Sequence, residues 1–146
     1  MMQPDLNARY RGALLGLACG DAVGAAVEFL PRGAFPPVTA MTGGGPFGLE
    51  PGEWTDDTSL ALCLAASLLC RGGFDAADQL DRYTRWMETG YLSSNGVCFD
   101  IGMTTRSALD RWRRGNKTDT ACGPVSPRSA GNGALMRLAR YGIRIG

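Results

Sequence analysis

The segment from Leu60 to Leu69 most constrains the fold, because it is apolar on nearly every side when it is wound as a helix. A helix without a polar face has to be covered by other elements on all sides. We predict a helix from about Asp57 to Cys70, ended by the glycine pair that follows Arg71. Because Thr55–Thr58 comes directly before it, oxygen-bearing side chains are expected at the mouth of a buried helix.

Two explanations of the adjacent acids Asp56 and Asp57 are open at this point. Threonine and aspartate commonly cap the free N–H groups of a first turn and favour its positive end. One acid is enough for a cap, however, so two acids leading into a buried helix also fit a cation site. The 146 residues include no histidine, which excludes Ser-His-Asp catalysis and His-ligated zinc. Carboxylates, hydroxyls and a hard cation such as Mg²⁺ or Mn²⁺ remain.

The rest of the chain predicts an all-α fold, since no strand-like alternation recurs. A loop rich in glycine and proline occupies residues 32–54. The helix that follows Asp75 is expected to be amphipathic and peripheral. The predicted helices cover residues 6–29, 57–70, 76–89 and 100–114, with a short one over 129–139.

Four features of the first and fourth helices bear on function. Glycines recur every fourth residue from Gly12 to Gly24 and form a strip that another helix or a ligand can approach closely. Asp21 lies within this helix, where an acid is usually exposed or satisfied locally. Glu28 lies beside the following loop and is the better functional candidate. Asp100 opens the fourth helix, where an ordinary N-cap is one explanation.

Composition narrows the possible partners. The net charge of +1 indicates no general attraction to nucleic acid or to an acidic membrane. Asp21 and Glu28 interrupt the longest early apolar run, so we expect no membrane span there. The start has no basic segment of the kind that opens a signal peptide, and the five cysteines form no CxxC. A cytoplasmic location is therefore expected.

Several motifs, in this order along the chain, together resemble the ADP-ribosylglycohydrolase family. Any one of them is a weak signal, but their order and spacing agree along nearly the whole sequence. They are 17–29 (LACGDAVGAAVEF), 42–45 (TGGG), 51–58 (PGEWTDDT), 100–104 (DIGMT) and 130–137 (AGNGALMR).

The resemblance implies a multi-helix orthogonal fold with a binuclear Mg²⁺ or Mn²⁺ centre. It implies a glycosidase that cleaves the N- or O-glycosidic bond between ADP-ribose and a protein side chain or small molecule. Asp100 and Glu28 are the catalytic candidates that it implies. The implied metal ligands are Thr55, Asp56 and Asp57, and the implied contacts to ADP-ribose are Gly131, Asn132 and Gly133. Met103 departs from the family, which often has asparagine there.

The resemblance also suggests that residues 1–146 are the N-terminal part of a single domain about twice as long. The family's second half supplies an Asp-x-Asp-Thr motif to the metal site, and this chain contains no such motif. An alternative function is therefore a truncated, non-catalytic module with a partial metal and ADP-ribose site, because three ligands fall short of six oxygens. A non-catalytic scaffold resembling a lens crystallin is a third possibility, against which the intact Thr55–Asp57 argues.

Overall fold

The computed structural model describes residues 5–137, and these form four α-helices with short 3₁₀ turns between and after them. The predicted all-α character is confirmed for this range, where the one β-type pairing is an isolated bridge between Gly44 and Leu49. The helices are α1 (Leu6–Gly24), α2 (Asp56–Arg71), α3 (Ala76–Thr89) and α4 (Met103–Arg114). The 3₁₀ turns are Ala25–Val27, Gly45–Phe47, Pro127–Ser129 and Asn132–Ala134.

Helix α2 is the buried centre of the fold, as its apolar pattern predicts. Thr55 caps its start by accepting a bond from the Asp57 N–H at 3.4 Å, and Gly72 ends it in a left-handed conformation with φ of 67°. Leu60 and Cys63 are fully buried and Leu64 is nearly so. Each large apolar side chain buried in this way contributes about 1.5–3 kcal/mol.

Helix α3 is amphipathic, as predicted: its inner face packs against both α2 and α4, and its outer face is exposed at Asp81, Arg85 and Glu88. Tyr83 and Trp86 lie on its inner face, and the Trp86 side chain is 1% exposed. They join Leu109 of α4 in the same core cluster as the α2 residues. Most residues of α3 are polar, but these two aromatic side chains bury a large area, since each aromatic residue covers more surface than an aliphatic one.

The ends of two predicted helices differ from the structure. Helix α1 gives way to the 3₁₀ turn at Ala25, so Glu28 lies just beyond helical structure instead of within it. Helix α4 begins at Met103 and not at Asp100, because Asp100 has a φ of 56° that no α-helix accommodates. The cap of α4 is Gly102, which offers no side-chain bond. Asp100 is therefore not an N-cap.

The glycine strip of α1 meets no close neighbour within the described part of the chain. A Cβ placed on Gly12, Gly16, Gly20 or Gly24 would have no atom within 4 Å. The expected close approach of another helix is therefore not met among residues 5–137. The predicted short helix over 129–139 is a pair of 3₁₀ turns as far as it is described, and its last two residues, Leu138 and Ala139, lie outside the described residues.

No helix within residues 5–137 is both long and apolar enough to cross a bilayer.

Candidate active site

Asp21 anchors the N-terminus of α2 to α1. Its carboxylate accepts the Thr55 hydroxyl at 2.8 Å and the Thr58 hydroxyl at 2.6 Å. It also accepts the backbone N–H of Thr55, at 3.1 Å from each oxygen, and that of Thr58 at 3.0 Å. One side chain thus satisfies both threonines and two N–H groups of a helix start. The partners are 34 and 37 residues away, so the expectation of exposure or a local partner is wrong.

This anchor fixes where the two adjacent acids of α2 project. Asp56 is 3% exposed, and Asp57 is half-buried. The Thr55 hydroxyl donates to Asp21, and it accepts the Asp57 N–H as the helix cap. A hydroxyl oxygen has two lone pairs, so one lone pair of Thr55 is left for another partner. Capping is therefore performed by Thr55, which leaves both carboxylates free for other contacts.

Glu28 and Asp100 reach the same place from two other elements. Asp100 lies close enough to both Glu28 and Asp56 for their carboxyl groups to share hydrogen bonds. A bond between two carboxyl groups requires a proton on one of them, so this trio shares protons. The left-handed backbone of Asp100 turns the chain just before α4 begins. Aspartate tolerates this conformation better than most residues do.

Burial and mutual repulsion leave these acids reluctant to ionise. Burial, followed by the charge of Asp100, raises the pKa of Glu28 to about 7 and the pKa of Asp56 to about 8. Burial also raises the pKa of Asp57, with Asp21 and Asp100 adding to the shift. Among the described residues no lysine or arginine forms an ion pair with any of the four acids of this cluster. The described surroundings therefore supply no cation that would stabilise the ionised forms of these acids, and protons are shared among them instead.

The four acids lie along one side of a cavity of about 970 Å³. A 3₁₀ turn that holds Gly131, Asn132 and Gly133 also lines this cavity. Such a volume is in the range of pockets that take a nucleotide-sized ligand. The acids and the Gly-Asn-Gly segment line the same cavity, although Asp56 and Asn132, for example, are about 75 residues apart in the chain.

Helix α4 positions the Gly-Asn-Gly segment. The Thr104 hydroxyl donates to the Ser129 carbonyl at 2.9 Å and so ties the segment to the first turn of the helix. A Cβ on Gly133 would lie 2.9 Å from the Thr105 hydroxyl oxygen, which is closer than side chains approach one another. A larger residue at 133 would therefore require the Thr105 side chain to move. The sequence pattern places both threonines only on a helix face and gives no sign of this role.

The oxygen donors of α2 divide between two cavities. Asp56 faces the large cavity, whereas Thr55 lines a second one of about 470 Å³ beside the glycine strip. Asp57 and Glu28 line both. Within residues 5–137 no three carboxylate or thiol groups converge closely enough to hold a metal ion by themselves. The donor set fits a hard cation in chemistry, since it is all oxygen and uncompensated, but it supplies only part of a coordination shell.

The structure therefore brings seven of the eight predicted site residues to one cavity, and the eighth lines the cavity beside it. Glu28, Asp56, Asp57 and Asp100 share the large cavity with the Gly-Asn-Gly segment, whereas Thr55 lines the smaller cavity that Glu28 and Asp57 also line. Sequence reasoning missed Asp21 and Thr104 as positioning residues. A pair of threonines at a helix start, each with a hydroxyl to donate, is the signal that points to a distant acid such as Asp21.

Comparison with known proteins assigns the family. The family model described as ADP-ribosylglycohydrolase matches residues 2–146, and the chain belongs to this family. A solved chain from an ADP-ribosylglycohydrolase-related protein complex is 52% identical and superposes with a TM-score of 0.73, covering 92% of this chain and 41% of that one. The expected family fold is thereby confirmed.

Two similar relatives carry more specific names. ADP-ribosylarginine hydrolase Tri1 of Pseudomonas putida (strain GB-1) is 53% identical over 135 residues, which are 92% of this chain and 36% of that protein. ADP-ribosyl-[dinitrogen reductase] glycohydrolase of Rhodospirillum rubrum is 40% identical over 141 residues, 94% of this chain and 45% of that protein. The chain spans less than half the length of these relatives.

Proposed function

We propose that this chain provides the acidic half of an active site that hydrolyses the bond between ADP-ribose and a modified side chain, with arginine as the favoured attachment. The observation that carries the proposal is the convergence of Glu28, Asp56, Asp57 and Asp100 on one cavity with Gly131–Gly133. The names of the relatives support the choice of an ADP-ribosylated arginine. The substrate is an ADP-ribosylated protein or a small ADP-ribosyl compound.

The residues divide the chemistry among themselves. Glu28 is the general base, since a carboxyl group with a pKa of about 7 accepts and releases protons near neutral pH. A water molecule attacks the anomeric carbon of the ribose, the carbon–nitrogen bond breaks, and the proton of the water passes to Glu28. The guanidine group leaves with the bonding electron pair and keeps a proton. Glu28 accepts this proton in its ionised form, and Asp100 then accepts a hydrogen bond from the newly protonated Glu28 carboxyl group.

Asp56, Asp57 and the remaining lone pair of Thr55 are the groups that would hold Mg²⁺ or Mn²⁺. When bound, such an ion supplies positive charge that orients ribose hydroxyls and lowers the pKa of a water molecule. A hard cation also suits this place because it offsets the repulsion among the acids. The Gly131–Gly133 segment offers backbone N–H groups and the Asn132 amide to the nucleotide portion.

Substitution of Asp100 tests the mechanism. Asp100→Asn removes a charge and a hydrogen-bond acceptor but leaves the α2 ligands in place. We expect turnover of an ADP-ribosylarginine peptide to fall by about 100-fold or more, the range for loss of a proton-transfer partner. Stabilisation of the protein by Mn²⁺ should stay within about twofold. Asp110→Asn, on the outer part of α4, is the matched control, and unchanged turnover in Asp100→Asn removes Asp100 from the mechanism.

One observation favours a second candidate function, a non-catalytic module that binds metal and ADP-ribose weakly. No group of three metal-ligating acids or thiols forms within the described residues, and a hard cation prefers at least six oxygens. Calorimetry of this chain with Mn²⁺ and with ADP-ribose separates the two. Tight Mn²⁺ binding together with release of ADP-ribose from a modified arginine excludes the module. Weak binding without release supports it.

A further inference from the structure

Phe29 is an exposed aromatic residue held in an unfavourable backbone conformation at the edge of the large cavity. Its side chain is 75% exposed, and its φ is 61°. A left-handed conformation costs a bulky residue roughly 1–2 kcal/mol. Exposure of the ring also forgoes the stabilisation that burial would give. Neither feature helps the fold, and strained residues of this kind concentrate at functional sites.

Other aromatic rings fix the position of Phe29. Its ring packs edge-to-face on Phe47, with the centroids 6.2 Å apart and the planes at 71°. Phe47 in turn contacts Phe99, with centroids 5.4 Å apart. Such contacts are worth about 0.5–1.5 kcal/mol each beyond the area they bury. They hold the ring in place while most of its surface stays open to solvent.

The backbone under this aromatic group is equally well fixed. Gly45, at the start of the 3₁₀ turn that carries Phe47, lies so close to Ala25 that a Cβ would overlap the Ala25 carbonyl oxygen. This contact joins the loop to the end of α1, directly before Glu28 and Phe29. Phe47 is thus placed against Phe29 by glycine packing. The position of the exposed ring is determined by the structure around it.

The exposed ring belongs to the same cavity as the acids. Phe29, Glu28 and Asp100 all contribute to its lining. An open aromatic face and neighbouring carboxylates together form an environment for a flat cation, which stacks on the ring and donates to the oxygens. A guanidinium group has this shape and charge. A neutral alcohol, such as the serine hydroxyl, has neither.

We propose that Phe29 is a specificity-determining residue whose ring receives the guanidinium group of the arginine from which ADP-ribose is removed. This inference rests on the proposed function and deepens it. The ring selects the leaving side chain, whereas Glu28 and Asp100 act on the ribose and the water. The strain at Phe29 is then the cost of presenting an aromatic face at the mouth of the cavity.

Three variants separate this role from a structural one. Phe29→Leu keeps an apolar side chain and the strained backbone but removes the aromatic face. Phe29→Gly also relieves the strain, because glycine adopts a positive φ freely. Phe74→Leu is the matched control, since Phe74 is 69% exposed in the loop between α2 and α3, away from the cavity.

The first measurement does not depend on turnover. Ethylguanidinium and butylammonium are cations of similar size, but only the former is flat. In a titration followed by NMR, the unsubstituted chain should bind ethylguanidinium about 2- to 30-fold more tightly, the range expected for stacking of a cation on a ring. Phe29→Leu and Phe29→Gly should lose this preference, while Phe74→Leu keeps it. Equal preference in Phe29→Leu and the unsubstituted chain overturns the proposal.

The second measurement compares two substrates. Phe29→Leu should raise KM for an arginine-linked ADP-ribosyl peptide by about 2- to 30-fold, the same factor as the binding preference. It should change KM for a serine-linked peptide less than twofold. Equal increases for both overturn the proposal, because they indicate a general effect on the cavity. If neither peptide is cleaved but the guanidinium preference depends on Phe29, the proposed hydrolysis fails while the ring keeps its binding role. Phe29→Gly should leave the midpoint of urea unfolding unchanged or raise it, and a marked decrease argues for a structural residue.

Discussion

The acids that lie near the two ends of α2 differ in their electrostatic surroundings. At its N-terminal end, Asp56 and Asp57 lie with Glu28 and Asp100, and no cation of the described chain pairs with them. Near its C-terminal end, the α3 acid Asp78 accepts Arg82 at 2.6 Å and Arg71 at 3.0 Å.

These surroundings move the carboxyl groups in opposite directions. Burial raises the pKa of Asp56 to about 8, whereas the hydrogen bond from Arg82 lowers the pKa of Asp78. The acids that support the fold are therefore neutralised by their own chain. The acids of the candidate site have no cationic partner among the described residues, which costs stability and is what a cation-binding or proton-transferring site requires. Four predictions test this contrast.

Removal of Asp21 should have the largest effect on stability. Asp21→Ala leaves two hydroxyls and two backbone N–H groups of the α2 start without their acceptor, and each unsatisfied buried donor costs about 1–3 kcal/mol. We expect a loss of at least ~3 kcal/mol, measured by urea unfolding at constant m. Asp5→Ala, which removes the exposed cap of α1, is the control with an expected loss of about 1 kcal/mol. Equal losses in the two variants would show that Asp21 is no more than an ordinary cap.

Divalent cations should stabilise the folded protein through the acids at the N-terminal end of α2 and not through Asp78. Mn²⁺ at 100 times its dissociation constant should raise the free energy of unfolding by about 2.7 kcal/mol. Asp56→Asn should abolish this gain, because it removes a carboxylate oxygen from the cluster. Asp78→Asn should retain it. Thermal unfolding with and without Mn²⁺ measures the difference, and the contrast between the two ends fails if both variants respond equally.

Asp78, which is paired with Arg82 and Arg71, should make the stability of the fold depend on pH in the acidic range. Because the pKa of Asp78 is lowered in the folded state, its contribution to stability is present above the ordinary aspartate pKa of about 3.9. It is lost as the pH falls through the lower folded-state pKa. Asp78→Asn should lose about 1–2 kcal/mol at pH 7 and show a flatter decline between pH 5 and pH 3. Parallel pH profiles for variant and unsubstituted chain would contradict the assignment.

The smallest effect is expected at Thr104. Thr104→Val keeps the shape of the side chain but removes the bond to the Ser129 carbonyl, at a cost of about 1 kcal/mol. Amide hydrogen exchange should accelerate in residues 129–133 and stay unchanged in α2. Thr118→Val, in the exposed loop after α4, serves as the comparison. Unchanged exchange in residues 129–133 would show that other contacts hold the Gly-Asn-Gly segment.

The helices could be predicted where local chemistry decides. Thr55 and Gly72 mark the ends of α2, and Asp75 and Gly90 mark those of α3, so the predicted bounds of both are within about a residue. The first residue of α4 could not be predicted from the sequence, because the left-handed backbone of Asp100 is imposed by tertiary structure. The contact of α3 with both α2 and α4 likewise depends on how Tyr83 and Trp86 pack in the core cluster.

The sequence predicts which residues form the candidate site but not how they are arranged in space. The motifs identify Glu28, Asp56, Asp57 and Asp100, and the structure brings them to one cavity. Nothing local indicates that Thr55 faces the other cavity or that Asp21 bonds to a helix 34 residues away. Phe29 gives no sign in the sequence either, since an aromatic residue before a proline-containing loop is ordinarily expected to be buried. Pairings between distant elements decided these points.

Because Asp21 is bonded to the start of α2, the number of residues between Asp21 and Glu28 decides whether Glu28 points into the large cavity. Asp21 and Glu28 are seven residues apart along the end of α1 and the 3₁₀ turn that follows it, so the distance between them depends on the number of residues in this segment. One residue inserted between them within α1 would advance the following chain by about 1.5 Å and rotate it by about 100°. Glu28 would then leave the cavity while the anchor stayed intact. This stretch should tolerate substitution far better than any change in its length.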